Sequence, residues 1–210
     1  MGFEETEKAR KAYLVKMHTK SIPMDDAPAA EQLSVLAVIL GEKCAPYIDF
    51  AIFGPFGNRV RKAMSHKGLV FGSNGTLVME EFRGPPSITE WMSCWRVFQT
   101  AMIMLDAADH PQLEAYARHI AKLANQFGPS AWSTIYQAEV RFRREMMERV
   151  REDQSNKLDS ALEAGGSYPF DPARPWDRCF DVAVTGRQWI QYWSDQVSTP
   201  AMMVLVKVAS

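Results

Sequence analysis

Residues 87–105, SITEWMSCWRVFQTAMIML, constrain the fold of this chain more than any other stretch. Gly84-Pro85-Pro86 ends whatever precedes it, Ser87 is a favoured N-cap, and Glu90 three residues later completes the pattern of a capping box. From that start Ile88, Trp91, Trp95, Phe98, Met102 and Leu105 recur at intervals of three and four, the period of one helix face. Met92, Val97 and Ile103 widen the apolar surface. A membrane span needs about 20 predominantly apolar residues, and Glu90, Arg96 and Gln99 interrupt this run. The stretch therefore reads as an interior helix, with Trp91, Trp95, Phe98 and Met102 in the core, where bulky and adaptable side chains fill irregular space.

The surrounding sequence is also mostly helical. Residues 3–19 read as an exposed, charge-mixed helix, and Glu31 to Leu40 as a short apolar one stopped by Gly41 and Pro46. Asp25-Asp26 precede that helix and suit a capping role. YIDFAIFGPFG reads as an extended turn leading into a helical turn at NRVRKAM. LVFGSNGTLVMEEF, about 68–82, holds two β-prone runs around Asn74-Gly75, a strong hairpin signal.

Past residue 105, Asp109 is placed to cap a helix closed by Phe127-Gly128-Pro129. Ser130 is placed to cap a long one to about Glu152, with Trp132, Ile135, Tyr136, Phe142, Met146 and Val150 inward. Its pairs Glu139/Arg143, Arg144/Glu148 and Glu145/Arg149 stand at helical spacing, and RFRRE reads as a solvated face. A polar helical continuation, DQSNKLDSALEA, runs into GGSYPFDPARP, which marks a linker or wrapped loop at about 165–175. Beyond it come Trp176 to Val184, a second start at Thr185 with Gln188, and a third at Thr199-Pro200. The fold class expected is all-α with one small β-hairpin. The domains expected are a main lobe over 1–164, a Gly/Pro-rich linker over 165–174 and a small helical piece over 175–210.

Charge excludes a global attraction to polyanions: 24 Lys and Arg stand against 25 Asp and Glu. One local run, NRVRKAMSHKG, gathers Arg59, Arg61, Lys62 and Lys67 without an acid; a solvated turn is its default reading, and it is the one candidate phosphate contact. Three cysteines without metal or disulfide spacing, and an N-terminus lacking a signal-peptide core, point to a reducing, cytoplasmic setting. Met1-Gly2 with Thr6 fits only the loose myristoylation pattern, and the sequon at Asn74 is then silent. His18, His66, His110 and His119 have no metal-ligand spacing, and neither phosphate-loop nor nucleophile-elbow motifs occur. No catalytic, cofactor-binding or metal-ligating residue is assigned, and no small-molecule ligand is expected.

PYIDFAIFGPFGNRVRK, GPPSITEWMSCWRVFQTAMIMLD, HPQLEAYARHIAKLANQFG and SAWSTIYQAEVRFRREMMERV together resemble the Gag-like region of copia-type retroelement polyproteins of unicellular algae, over about residues 31–152. The resemblance implies a helical, non-enzymatic capsid-type module that self-associates and packages element RNA. The Cys/His knuckle and the protease, integrase and reverse-transcriptase motifs of such polyproteins are absent from this sequence. Near-neutral charge favours assembly through protein contacts, with RNA bound weakly or indirectly. A helical adaptor or regulatory domain, including a host-retained Gag derivative, is the alternative, and an enzyme with a dispersed site ranks third. In the C-terminal piece Trp189, Tyr192, Trp193, Met202 and Met203 carry more apolar surface than a short segment covers. It either docks on the main lobe or forms the assembly interface with another copy.

Overall fold

A computed structural model describes residues 1–55, 64–71 and 76–209 of the chain. Its elements in order are α1 (Phe3–Lys16), α2 (Ala30–Gly41), β1 (Ser65–Phe71), β2 (Leu77–Arg83), α3 (Ile88–Met104), α4 (His110–Phe127), α5 (Trp132–Arg141), α6 (Met147–Glu163), α7 (Pro175–Thr185), α8 (Arg187–Trp193) and α9 (Thr199–Ala209). Among the described residues the fold is helical apart from one antiparallel hairpin, as the sequence predicts.

Helix α3 is the axis of the assembly. The Ser87 hydroxyl oxygen accepts from the Thr89 and Glu90 N–H groups, fixing the first turn. The Glu90 carboxylate accepts in return from the Ser87 hydroxyl. Trp91, Trp95, Phe98 and Met102 are each 0% exposed, and every residue from Val97 to Met104 is buried. The second half of the helix is covered on all sides, with α1, α2 and α4 packed around it. Trp95 is sandwiched between Trp91, at 5.0 Å between ring centroids, and Tyr116 of α4, at 5.1 Å. Phe50, Phe98 and Phe180 close the cluster edge-on, the arrangement that aromatic quadrupoles favour.

Asp109 stands at the N-cap of α4, but its carboxylate makes no capping bond. It is held instead by Lys16 at the end of α1 and by Arg174 ahead of α7, whose terminal nitrogens donate at 2.9 and 3.3 Å. Arg174, followed by Lys16, keeps this carboxyl below the usual range. One side chain thus ties together three segments that sequence spacing leaves unrelated.

The hairpin pairs Ser65 with Arg83 and Phe71 with Leu77, and β1 lies along α5. The predicted Asn74-Gly75 turn and the helical turn at 58–63 lie outside the described residues. β1 begins at Ser65, earlier than the run read from the sequence, because its first residues are pressed on α5. A Cβ at Gly68 would come within 2.3 Å of the Ser133 Cβ, and one at Gly84, whose φ is +140°, within 2.1 Å of the Tyr136 ring. Both glycines permit a backbone approach that no larger residue allows.

From Trp132 to Glu163 the chain is one continuous helix, including the expected polar continuation past Glu152, and it carries a π turn over Phe142–Met146 that the spacing does not announce. A short 3-10 turn, Pro129–Ala131, replaces the expected Ser130 cap. A second π turn, Ser194–Ser198, joins α8 to α9. Thr199 therefore starts no new helix. The cause is Pro200, which has no N–H to give the Gln196 carbonyl and whose ring crowds it, so the Thr199 N–H bonds Ser194 O one residue farther back. Thr185 is likewise not a cap, since its hydroxyl donates to Asp181 O at 2.9 Å.

The segment after α6 and the C-terminal helices pack against the rest of the chain. Phe170 is buried, Tyr168 donates to Gln154 Oε1 at 2.9 Å, and Arg174 is ion-paired, so residues 165–174 form a wrapped loop tied at three points. Trp176, Phe180, Trp193 and Ala201 belong to the same core as Trp95 and Phe142.

Candidate functional site

The candidate interaction surface is built by α8 and α9. Trp189 and Trp193 point inward at 8% and 2% exposure. Trp193 stacks on Phe142 at 4.8 Å, donates through Nε1 to Ala183 O at 3.0 Å, and lies against His119 at 5.0 Å. Tyr192 is half-buried, with its hydroxyl donating to Ala138 O at 2.9 Å. These three aromatics, read from the sequence as possible assembly contacts, are committed to the chain's own core. The face that receives them comes from α4 and the π turn, more than 40 positions upstream, a convergence that local spacing does not encode.

Met202 and Met203 have the opposite fate. On α9 the inner side buries Ala201 and Val204, while Met202, Met203 and Val206 stand 55%, 51% and 65% exposed. Thr199, Met202, Met203 and Val206 share one side by helical period, and the run Thr199 to Val206 has no charged residue. Helix α9 is thus apolar toward the core and apolar toward solvent. On α2 a second such face carries Val35 and Val38, 55% and 60% exposed, and this helix packs on α1 and α3 rather than on α4 and α5.

Of the basic run, Arg59, Arg61 and Lys62 lie outside the described residues. Lys67 is exposed on β1, directly across from Glu81 of β2, so an acid absent from the local sequence run faces it in space.

The pattern RFRRE departs most from its reading as a solvated face. Arg143 and Glu139 form the expected pair, but their side chains are 1% and 0% exposed. Arg143 also donates to Ile48 O at 3.0 Å, and its guanidinium carbon lies 4.1 Å from the centre of the Phe50 ring. Burial alone would lower the Arg143 pKa; Glu139 raises it above the usual arginine value, so the guanidinium stays charged. The other expected pairs are replaced. Arg141 binds Glu145 at 3.2 Å, Arg151 binds Glu148 at 2.7 Å, and Arg144 leans over Tyr47.

An open cleft of about 390 Å³ lies between α6 and the wrapped loop, lined by Lys43, Arg151, Ser155 and Phe170. Arg151 is already engaged there by Lys43 O and Glu148. No group of three or more metal-ligating side chains is gathered among the described residues, and none of their helices is long and apolar enough to cross a membrane. No protein-family model, curated protein or solved structure matches the chain.

Proposed function

We propose that this chain is a non-enzymatic, capsid-type assembly module that associates with copies of itself through the outer face of α9. The observation that carries the proposal is the two-sided apolarity of that helix. A helix apolar all round is normally covered all round, and here Met202, Met203 and Val206 are left open while Ala201 and Val204 fill the core. The uncharged run from Thr199 to Val206 can meet its own copy without opposing like charges. A single two-fold contact of this kind gives a dimer, whereas larger assemblies need a second contact. The Val35/Val38 face of α2 supplies that second contact. RNA packaging in this reading is a weak contribution from Lys67 and the run Arg59, Arg61 and Lys62.

Multi-angle light scattering over a concentration series tests the proposal. The chain is expected to grow beyond a dimer into the high-micromolar range. Met202→Glu with Met203→Glu removes the α9 contact and is expected to stop growth at no more than the dimer that the α2 face holds, with an unchanged unfolding midpoint in dilute solution, since both side chains face solvent. A native chain that stays monomeric defeats self-association. A chain that stops at a dimer supports the adaptor alternative instead.

A further inference from the structure

The hairpin has one covered edge and one open edge. β1 lies along α5 and the 3-10 turn, with Ser133 Oγ donating to Leu69 O at 3.2 Å. β2 is the outer strand of a two-stranded sheet, and among the described residues no strand pairs with its far side. Alternate residues of an antiparallel strand turn their N–H and C=O groups away from the partner, so this edge offers a row of backbone donors and acceptors. Both faces of β2 are open as well: Val78, Met79, Glu80 and Glu81 are all exposed. Glu81 is shared with Ser65, which donates to it at 2.9 Å, and with Lys67 across the strand. Glu80 faces Gly68, and among the described residues neither Glu80 nor Arg83, at the end of the strand, has an ion pair.

We propose that the outer edge of β2 receives an extended segment of another protein as a third, antiparallel strand. Charge and apolarity along Val78-Met79-Glu80-Glu81-Phe82-Arg83 define its sequence class. Read from its own N-terminus, the guest carries an acid opposite Arg83, basic residues opposite Glu81 and Glu80, and apolar residues opposite Met79 and Val78. Opposite charges placed directly across from one another stabilise a sheet and like charges destabilise it. The same rule disfavours a second copy of this chain. The one antiparallel register that pairs all seven residues of β2 sets Glu80 against the Glu80 of the other copy. A two-stranded hairpin gains most from a third strand, since it is marginal alone, and edge addition is an established mode of peptide recognition. This surface is separate from the α9 face, so either proposal can fail without the other.

The experiment uses the whole chain and a dye-labelled peptide, acetyl-Glu-Val-Lys-Lys-Val-Val-amide, followed by fluorescence anisotropy at low salt. Saturable binding with a Kd below about 1 mM is expected. Glu80→Lys breaks no ion pair among the described residues and is expected to weaken binding roughly five-fold. Affinity returns when the lysine opposite position 80 is exchanged for Glu. Two further peptides, N-methylated at the two alternate sets of residues, report on the backbone. The set facing β2 is expected to abolish binding and the other to spare it. Absence of saturable binding, indifference to Glu80→Lys, or equal binding of both methylated peptides overturns the proposal.

Discussion

The Arg143 guanidinium donates through both Nε and a terminal nitrogen to the Glu139 carboxylate one helical turn earlier, with both side chains closed off from solvent. The same guanidinium spans from α5 to the 44–53 segment through Ile48 O and the Phe50 ring, so the pair ties that loop to the long helix. Desolvating two charges offsets much of their attraction, and a buried pair is costly chiefly when one half is removed. Arg143→Met alone or Glu139→Leu alone is therefore expected to cost about 3–5 kcal/mol. The double variant Glu139→Leu/Arg143→Met is expected to recover most of that loss. Urea denaturation of the three variants measures the coupling, and additive losses would show that the charges do not act as a pair.

Sequence periodicity captured α3 well, because a helix with a serine cap and a continuous apolar stripe carries its own instructions. Arg143 was illegible for a specific reason. Charges four residues apart usually lace a wet surface, and the rings that cover this one, Tyr47 and Phe50, arrive from more than 90 positions away. Asp109 was misread in the same way: its position suits a helix cap, but Lys16 and Arg174 compete for the carboxylate. Within the candidate surface the sequence identified the apolar excess after Arg187 but not its division. Trp189 and Trp193 fill a recess made by α4 and the π turn, whereas Met202 and Met203 face outward.

Trp95 sits fully buried between two stacked rings, and its Nε1 has no hydrogen-bond partner among the described residues. Trp95→Ala removes the centre of the aromatic cluster and is expected to cost about 3–5 kcal/mol. Trp95→Phe is expected to cost less, because a ring still fills most of the site, while loss of the unpaired indole donor offsets about 1–3 kcal/mol in both variants. Thermal unfolding of both variants checks the order, and an equal loss would show that ring volume at this site carries no stability.

Cysteine chemistry separates by position. Cys94 and Cys179 are buried, and burial pushes each thiol up to about 12, whereas Cys44 is exposed. The thiolate is the reactive species. Iodoacetamide at neutral pH is expected to modify Cys44 alone in the native chain and all three residues in denaturant, as read by peptide mass spectrometry. Native modification of Cys94 would mean that the α3 core opens.

His119 gives the clearest pH signature. Its ring lies against Trp193 and its buried Nε2 has no partner among the described residues; burial first, with Lys122 second, lowers its pKa from 6.5 to about 4. The unfolded chain therefore binds this proton more readily than the folded one. Stability is full above pH 6.5 and falls as the pH drops through the window down to about 4, with a total loss of about 1–3 kcal/mol. The depressed Asp109 carboxyl acts in the same direction, but its contribution is lost only as the pH falls below the ordinary carboxylate range, about 3.9. The two windows are therefore separable. His119→Phe keeps an aromatic against Trp193 and is expected to flatten the stability profile between pH 6.5 and 4 while leaving the lower limb in place. Denaturation midpoints at half-unit pH steps measure this, and an unchanged slope in the variant would place the acid sensitivity elsewhere than under α8.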